Sequence, residues 1–300
     1  MRKLRAIEWT GGKVGLVAPA GPVSEAAIER GLQTLAQQQI QYEPGRFLFS
    51  NRGLVAATVA ERLQDFYAFL MRNDIHAIWS ARGGYGSIQL IDQIDYRRFE
   101  EHPKPFIGFS DVTALQWALF QKIQLPSFSG FTLLSQFTPS NPYLKTGLEI
   151  LFGRCLELTR DNFLEEIIVL QSGEATGTLI GGTLSIICSL LGTQYLVDAQ
   201  DLILYIEDIN EPLYRIDRML YQLKLAGFFQ RVRAVILGKF LYDDSLQDVH
   251  PLVESVLPSR IPLIMNFPYG HLPASLLMPL GVPVRLSTSP FRLRWESPYI

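Results

Sequence analysis

KPFIGFSDVTALQWALFQ, Lys104–Gln121, decides the fold. Pro105 leads into the short apolar run Phe106, Ile107 and Phe109, and from Val112 onward the apolar positions Val112, Leu115, Ala118 and Leu119 fall at helical spacing. The stretch therefore reads as a buried strand, a sharp turn and a helix, with Ser110 at the turn. A serine placed there has its hydroxyl above the sheet edge, and the first amides of the following helix point toward it, where they are able to stabilise an oxyanion. Serine also suits that position as a plain N-cap. Because GFSDV lacks the second glycine of a G-x-S-x-G elbow, this segment alone leaves both roles open.

Working outward, KVGLVAPAGPV, Lys13–Val23, reads as a strand ended by a proline and glycine loop, after which Ser24 caps a helix with Ala27, Ile28, Leu32 and Leu35 on its apolar side. No G-x-G-x-x-G follows, which argues against a dinucleotide site. A second helix covers about Val55–Met71 with Val59, Leu63, Phe66 and Leu70 on one stripe; Arg62 and Asp65 lie off it and are expected on a solvated face. Ile75–Ser80 is a strand that runs into ARGGYG, Ala81–Gly86. Adjacent glycines permit positive φ and close approach of the backbone to another group, or simply a tight turn. At the carboxyl end of a parallel strand this loop would face the mouth where such sheets bind ligands, its amides joining that of Asp111 in an oxyanion site. A strand at Pro126–Ser129 and a helix at Tyr143–Phe152 complete an alternation that predicts an α/β domain over 1–152, a mostly parallel Rossmann-like sheet with helices on both faces. The rhythm then changes, and 153–166 reads as a linker.

The remainder, 167–300, reads as a β-rich, barrel-like α+β domain. Strands are expected at Ile167–Leu170 and Ala175–Ile180, and a buried helix entered through two glycines at Gly181–Gly192. LILYIEDINEP, Leu202–Pro212, drives five apolar residues directly into Glu207 and Asp208. Acids at the end of so buried a strand are unusual; one bland explanation is that Asp208 or Asn210 caps the next helix. That helix, Tyr214–Ala226, shows Ile216, Met219, Leu220 and Leu223 on one stripe and is closed by Gly227. Val232–Leu237 is a strand ending at Gly238. Short strands at Leu277–Leu280, Val282–Leu286 and Phe291–Trp295 close the chain. Of four histidines, only His271 lies in a loop of prolines and glycines, Asn266–Ser275.

Charge and composition narrow the class. A net charge of -2 and the absence of any basic block give no footprint for nucleic acid or an anionic membrane. No apolar run approaches the roughly 20 residues of a membrane span, and the basic start Met1–Arg5 is interrupted before a signal-peptide core forms, so a cytoplasmic protein is expected. Cys155 and Cys188 are too few and scattered for a disulfide framework and read as packed hydrophobes. No histidine sits at metal-ligand spacing, and neither a metal nor another cofactor is called for.

Serine, then acid, then histidine is a permitted chain order for a hydrolytic triad. With VAPAGPV (Val17–Val23), IWSARGGYGSIQLIDQIDY (Ile78–Tyr96), KPFIGFSDVTAL (Lys104–Leu115), LIGGTLSIICSLLGT (Leu179–Thr193), LYIEDINEPLYRIDRML (Leu204–Leu220) and the Gly270–His271 pair, the chain resembles the LD-carboxypeptidase family of serine peptidases nearly end to end. That family includes muramoyltetrapeptide carboxypeptidases and microcin C self-immunity peptidases. The resemblance implies Ser110 as nucleophile, Glu207 as triad acid, His271 as base, oxyanion donors in the backbone N–H groups of Asp111 and Gly84, and a homodimer. It implies removal of a terminal D-amino acid from a cytoplasmic murein tetrapeptide. Hydrolysis of a microcin C-type aminoacyl adenylate is the alternative within the class, and a non-catalytic binder of wall peptides the alternative outside it. Arg82, whose guanidinium suits a terminal carboxylate, is the candidate substrate-binding residue together with Gly83 and Tyr85. The chain departs from the family pattern at Ala57–Val59, at Ser129–Phe131, at Thr183 in place of the common asparagine, and at Leu276–Pro279. These departures bear on the substrate rather than on the three side chains.

Overall fold

The computed structural model describes residue 4, residues 12–258 and residues 260–298. The basic start Met1–Arg5, apart from Leu4, lies outside the described residues. The first half contributes β1 (Lys13–Val17), α1 (Glu25–Gln37), β2 (Gln41–Pro44), α2 (Val59–Leu70), β3 (Ile75–Ser80), α3 (Tyr96–Glu101), β4 (Phe106–Gly108), α4 (Thr113–Ile123), β5 (Ser127–Ser129) and α5 (Leu144–Leu151). Five of these strands pair in parallel in the order β5-β4-β3-β1-β2. The loops after β1, β3 and β4 therefore leave the same edge, and the order reverses beside β1 and β3, the place where open parallel sheets take ligands.

The second half contributes β6 (Glu157–Thr159), β7 (Ile168–Gln171), β8 (Glu174–Thr183), α6 (Leu184–Ser189), β9 (Leu202–Ile209), α7 (Leu213–Leu225), β10 (Val232–Tyr242), β11 (Ser245–Leu246), α8 (His250–Val256), β12 (Leu263–Met265), β13 (Met278–Leu280), β14 (Val282–Thr288) and β15 (Phe291–Trp295). Its nine-stranded sheet runs β6-β15-β14-β8-β9-β10-β12-β7, with β11 on β10. β8, β9, β10 and β12 are mutually parallel, joined by α6, α7 and α8, so the β-rich half carries α/β character at its centre. The ladder has two ends, at β6 and β7.

Several local readings need correction. β6 falls within the stretch read as linker, and pairs with β15. β13 does not join its neighbours in sequence but pairs antiparallel with β5, at the edge of the first sheet. Gly181 and Gly182 belong to the end of β8 rather than to a helix entrance, and Gly238 stays within β10. Pro212 is the N-cap residue of α7 with no side-chain cap; neither Asp208 nor Asn210 caps it, because the Asp208 carboxylate accepts the amides of Ser185 at 2.7 Å and Ile209 at 2.8 Å. Arg62 and Asp65 are buried, not solvated. The buried arc of α2 is wider than one stripe: Phe69 lies four residues after Asp65 and seven after Arg62, and it too is buried.

The helix α4 lies between the halves. Nine of its residues, including the polar Thr113 and Gln116, are buried, as expected of a helix surrounded by protein. Trp117 Nε1 donates to the Gly181 carbonyl of β8 at 2.8 Å, and Gln116 Nε2 to the Phe128 carbonyl of β5 at 2.7 Å. One helix is thus fastened to both sheets, and it begins at Thr113, one short turn after Ser110.

Candidate active site

Ser110 is set by a break in the backbone. Phe109 is extended, with φ -159 and ψ 163; Ser110 itself has φ 67, the left-handed region that costs a non-glycine residue about 1 kcal/mol or more. A tight turn, Ser110–Val112, then enters α4. Strand, turn and helix follow one another as the reading of this stretch expected. The loop after β3 comes against it: a Cβ on Gly83 would stand 2.8 Å from the Ser110 Cβ, so that close approach requires glycine.

Glu207 and His271 arrive from the other sheet. Glu207 is fully buried in β9, where it faces Thr183 at the end of β8. Thr183 Oγ1 donates to Glu207 Oε1 at 2.6 Å. His271 lies in the loop between β12 and β13, which Leu276 N ties to the Pro268 carbonyl at 2.7 Å and Lys239 N ties to the Tyr269 carbonyl at 2.8 Å. His271 Nδ1 stands 2.7 Å from Glu207 Oε2, and Nε2 stands 2.9 Å from Ser110 Oγ. The imidazole packs on Phe109 with ring centroids 4.6 Å apart. Three side chains separated widely in sequence therefore form one continuous relay.

Burial pushes the His271 imidazole toward its neutral form, but the Glu207 carboxylate outweighs this, with Asp208 adding to it, and the pKa is raised above the ordinary 6.5. Asp208, on the opposite side of β9, is pushed up to about 7 by burial and by the charge of Glu207. A hydroxyl hydrogen-bonded to an imidazole that is in turn backed by a buried carboxylate has the parts needed to be activated as a nucleophile.

The Asp111 carboxylate turns away from this relay and takes the amides of Gly86 at 3.3 Å and Ser87 at 2.8 Å; its backbone N–H, in the first turn of a helix, has no intrahelical acceptor. The amide of Gly84 donates to no backbone acceptor among the described residues. Arg82 Nη1 donates to the Pro22 carbonyl at 2.8 Å, and the side chain lines a groove with Ser24, Glu25, Phe49 and Asn51. Tyr85, in the same glycine loop, is half exposed. The structure thus brings Ser110, Glu207 and His271 together and sets the Gly83 backbone against Ser110; Arg82 is the residue before Gly83, and its groove does not include Ser110. Sequence reasoning marked Thr183 only as a departure from the family pattern, not as the partner of Glu207. It missed the Ser87–Asp111 link altogether. Among the described residues no cluster of His, Cys, Asp or Glu is arranged to hold a metal ion, and no helix is long and apolar enough to cross a membrane.

Family models described as the LD-carboxypeptidase N-terminal and C-terminal domains match residues 14–130 and 176–286. A probable murein peptide carboxypeptidase of Bacillus subtilis is 31% identical over 93% of this chain and 90% of its own. A murein tetrapeptide carboxypeptidase of Pseudomonas aeruginosa is 30% identical over 95% of each chain. Among solved structures, the microcin C7 self-immunity protein MccF in complex with aspartyl sulfamoyl adenosine matches with a TM-score of 0.88 at 23% identity over 100% of both chains, a likeness of fold.

Proposed function

The chain belongs to the LD-carboxypeptidase family, and from that premise we propose that it is a serine carboxypeptidase that cleaves an L,D-amide to release the terminal D-amino acid of a murein tetrapeptide in the cytoplasm. The observation that carries this reading is the position of His271, within hydrogen-bond reach of Ser110 on one side and Glu207 on the other.

In the proposed reaction Ser110 Oγ attacks the carbonyl carbon while His271 Nε2 takes its proton. The negative charge that develops on the carbonyl oxygen meets the amides of Asp111 and Gly84. His271 returns the proton to the departing amine as the C–N bond breaks, leaving an ester on Ser110. Water then attacks that ester, His271 takes the water's proton, and the hydroxyl of Ser110 is restored. Glu207 holds the imidazole in the tautomer with Nε2 free and offsets its positive charge; Thr183, by engaging the other carboxylate oxygen, fixes Glu207. Arg82 is the proposed partner of the terminal carboxylate, with Gly83 and Tyr85 beside it. The homodimer implied by the resemblance belongs to the same proposal, and light scattering of the purified protein tests it.

The test is mass spectrometry of products from a panel of wall peptides, with an aminoacyl sulfamoyl adenosine included, incubated with the wild type and with Ser110→Ala. Loss of a single D-alanine from the tetrapeptide, abolished in the variant, is the expected result. Cleavage of the adenosine compound alone would move the assignment to the immunity branch. Trp117 offers no platform for an adenine, being fully buried. No cleavage of any member by the wild type would refute the reading.

A further inference from the structure

Arg62 lies on α2, an element that contributes nothing to the Ser110–His271–Glu207 relay, and it is 3% exposed. Its Nη1 donates to the Pro19 carbonyl at 2.7 Å and to the Gly86 carbonyl at 2.9 Å, and its Nη2 donates to Gln89 Oε1 at 2.8 Å. Pro19 belongs to the loop after β1 and Gly86 to the glycine loop after β3. One guanidinium therefore ties together the two loops that leave the sheet beside Ser110.

The glycine loop is gripped from its other side by the residue that follows Ser110. Besides the two amides that the Asp111 carboxylate accepts, the Asp111 carbonyl accepts the Ser87 hydroxyl at 2.5 Å. Gly21 N adds a bond to the Gly83 carbonyl at 3.1 Å. Gly84 lies between that bond at Gly83 and the two grips, which meet at Gly86 and Ser87. Gly86 has φ 115, and a Cβ there would stand 2.5 Å from Val55 Cγ1 and 3.2 Å from Arg62 Nη1, so a side chain at that position would disturb the grip as well as the backbone.

Burying a cation is costly, and here Nε is left without a hydrogen-bond partner among the described residues, whereas filling space needs no charge at all. What a planar fork supplies, and an aliphatic or a lysine side chain does not, is several donors held at fixed angles to separate acceptors. Resting on the hydrolase reading above, we propose that Arg62 is a positioning residue: with Asp111 as the opposing grip, it holds the glycine loop so that the Gly84 amide meets the oxyanion formed when Ser110 attacks. A shift of a few tenths of an ångström in that amide weakens contact with a charge that exists only in the transition state. The ground-state complex is left almost untouched.

The experiment compares Arg62→Met and Arg62→Lys with the wild type on a D-alanine-terminated tetrapeptide. Substrate affinity is measured separately in a Ser110→Ala background with and without Arg62→Met. The expected result is a fall in kcat of about 100-fold for Arg62→Met, in line with loss of one oxyanion donor, with KM and the substrate affinity of the Ser110→Ala pair unchanged and a smaller fall for Arg62→Lys. Ser87→Ala, which loosens the opposing grip by one bond, serves if the Arg62 variants do not fold; it is expected to lower kcat with KM unchanged. Wild-type kcat in a folded Arg62→Met protein, or in Ser87→Ala where the former does not fold, overturns the proposal, as does an equal loss of affinity and rate. A wild type that cleaves no peptide defeats the hydrolase reading instead, which keeps the two failures apart.

Discussion

At the scale of single residues the account rests on how charge is distributed behind His271. Its pKa is raised above 6.5 because the Glu207 carboxylate favours the imidazolium more strongly than burial disfavours it. A base must be neutral to accept a proton, so kcat/KM is expected to rise with pH through a midpoint above 6.5. Removing the carboxylate charge in Glu207→Gln should move that midpoint down as well as lower the rate; a pH profile of both proteins checks the sign. Thr183→Val removes the 2.6 Å bond to Glu207 and leaves a buried carboxylate oxygen unpaired, a change expected to cost about 1–3 kcal/mol or more. Urea unfolding measures the loss, and Thr183→Ser should restore most of it. Local pattern drew attention to these three positions, a serine at a strand end, an acid in a buried strand and a histidine in a breaker-rich loop, but it left bland readings open for each, and their roles came from the resemblance to the family. Arg62 was not so marked. Its polarity spoke for solvent, and what offsets its burial is a set of backbone carbonyls from distant loops, which no helical wheel displays.

At the scale of elements, strands and helices were read closely from periodicity, while their partners were not. Only Ser172 and Gly173 separate β7 from β8, yet β7 pairs with β12 and β8 with β9 and β14. Three-residue β13 gives no hint in its own sequence that it pairs with β5. Pairing is decided by contacts between residues far apart in the chain, and local propensity is silent about those. The element whose position matters most is α4, because it carries the Ser110 turn and is held by both sheets. Trp117→Phe deletes the bond to Gly181 together with part of the buried ring; it is expected to destabilise the protein by about 1–3 kcal/mol or more, again read by urea unfolding. Unchanged stability would mean that the helix is not anchored through that bond. Asp65 plays a comparable part on α2 by accepting the Phe47 amide at 3.0 Å, which fixes the loop that carries Phe49 and Asn51 to the groove beside Arg82.

At the scale of the whole molecule, the two sheets are not independent. β13, from the last part of the chain, completes the first sheet. Asn141 Nδ2 donates to the Ser275 carbonyl at 2.8 Å, and the relay itself spans both sheets. The chain is therefore expected to melt in one calorimetric transition despite the change of rhythm near residue 153; two separated transitions would show that the halves hold themselves up independently. Bringing the carboxyl ends of two parallel strand sets together is what lets an elbow from one meet an acid and a base from the other. That convergence is checked by treating the native protein with a fluorophosphonate and locating the adduct by peptide mass mapping. A single adduct on Ser110 is expected, forming far more slowly in His271→Ala. A wild-type protein that cleaves its peptide while Ser110 remains unlabelled, or that carries the adduct on another residue, would contradict it.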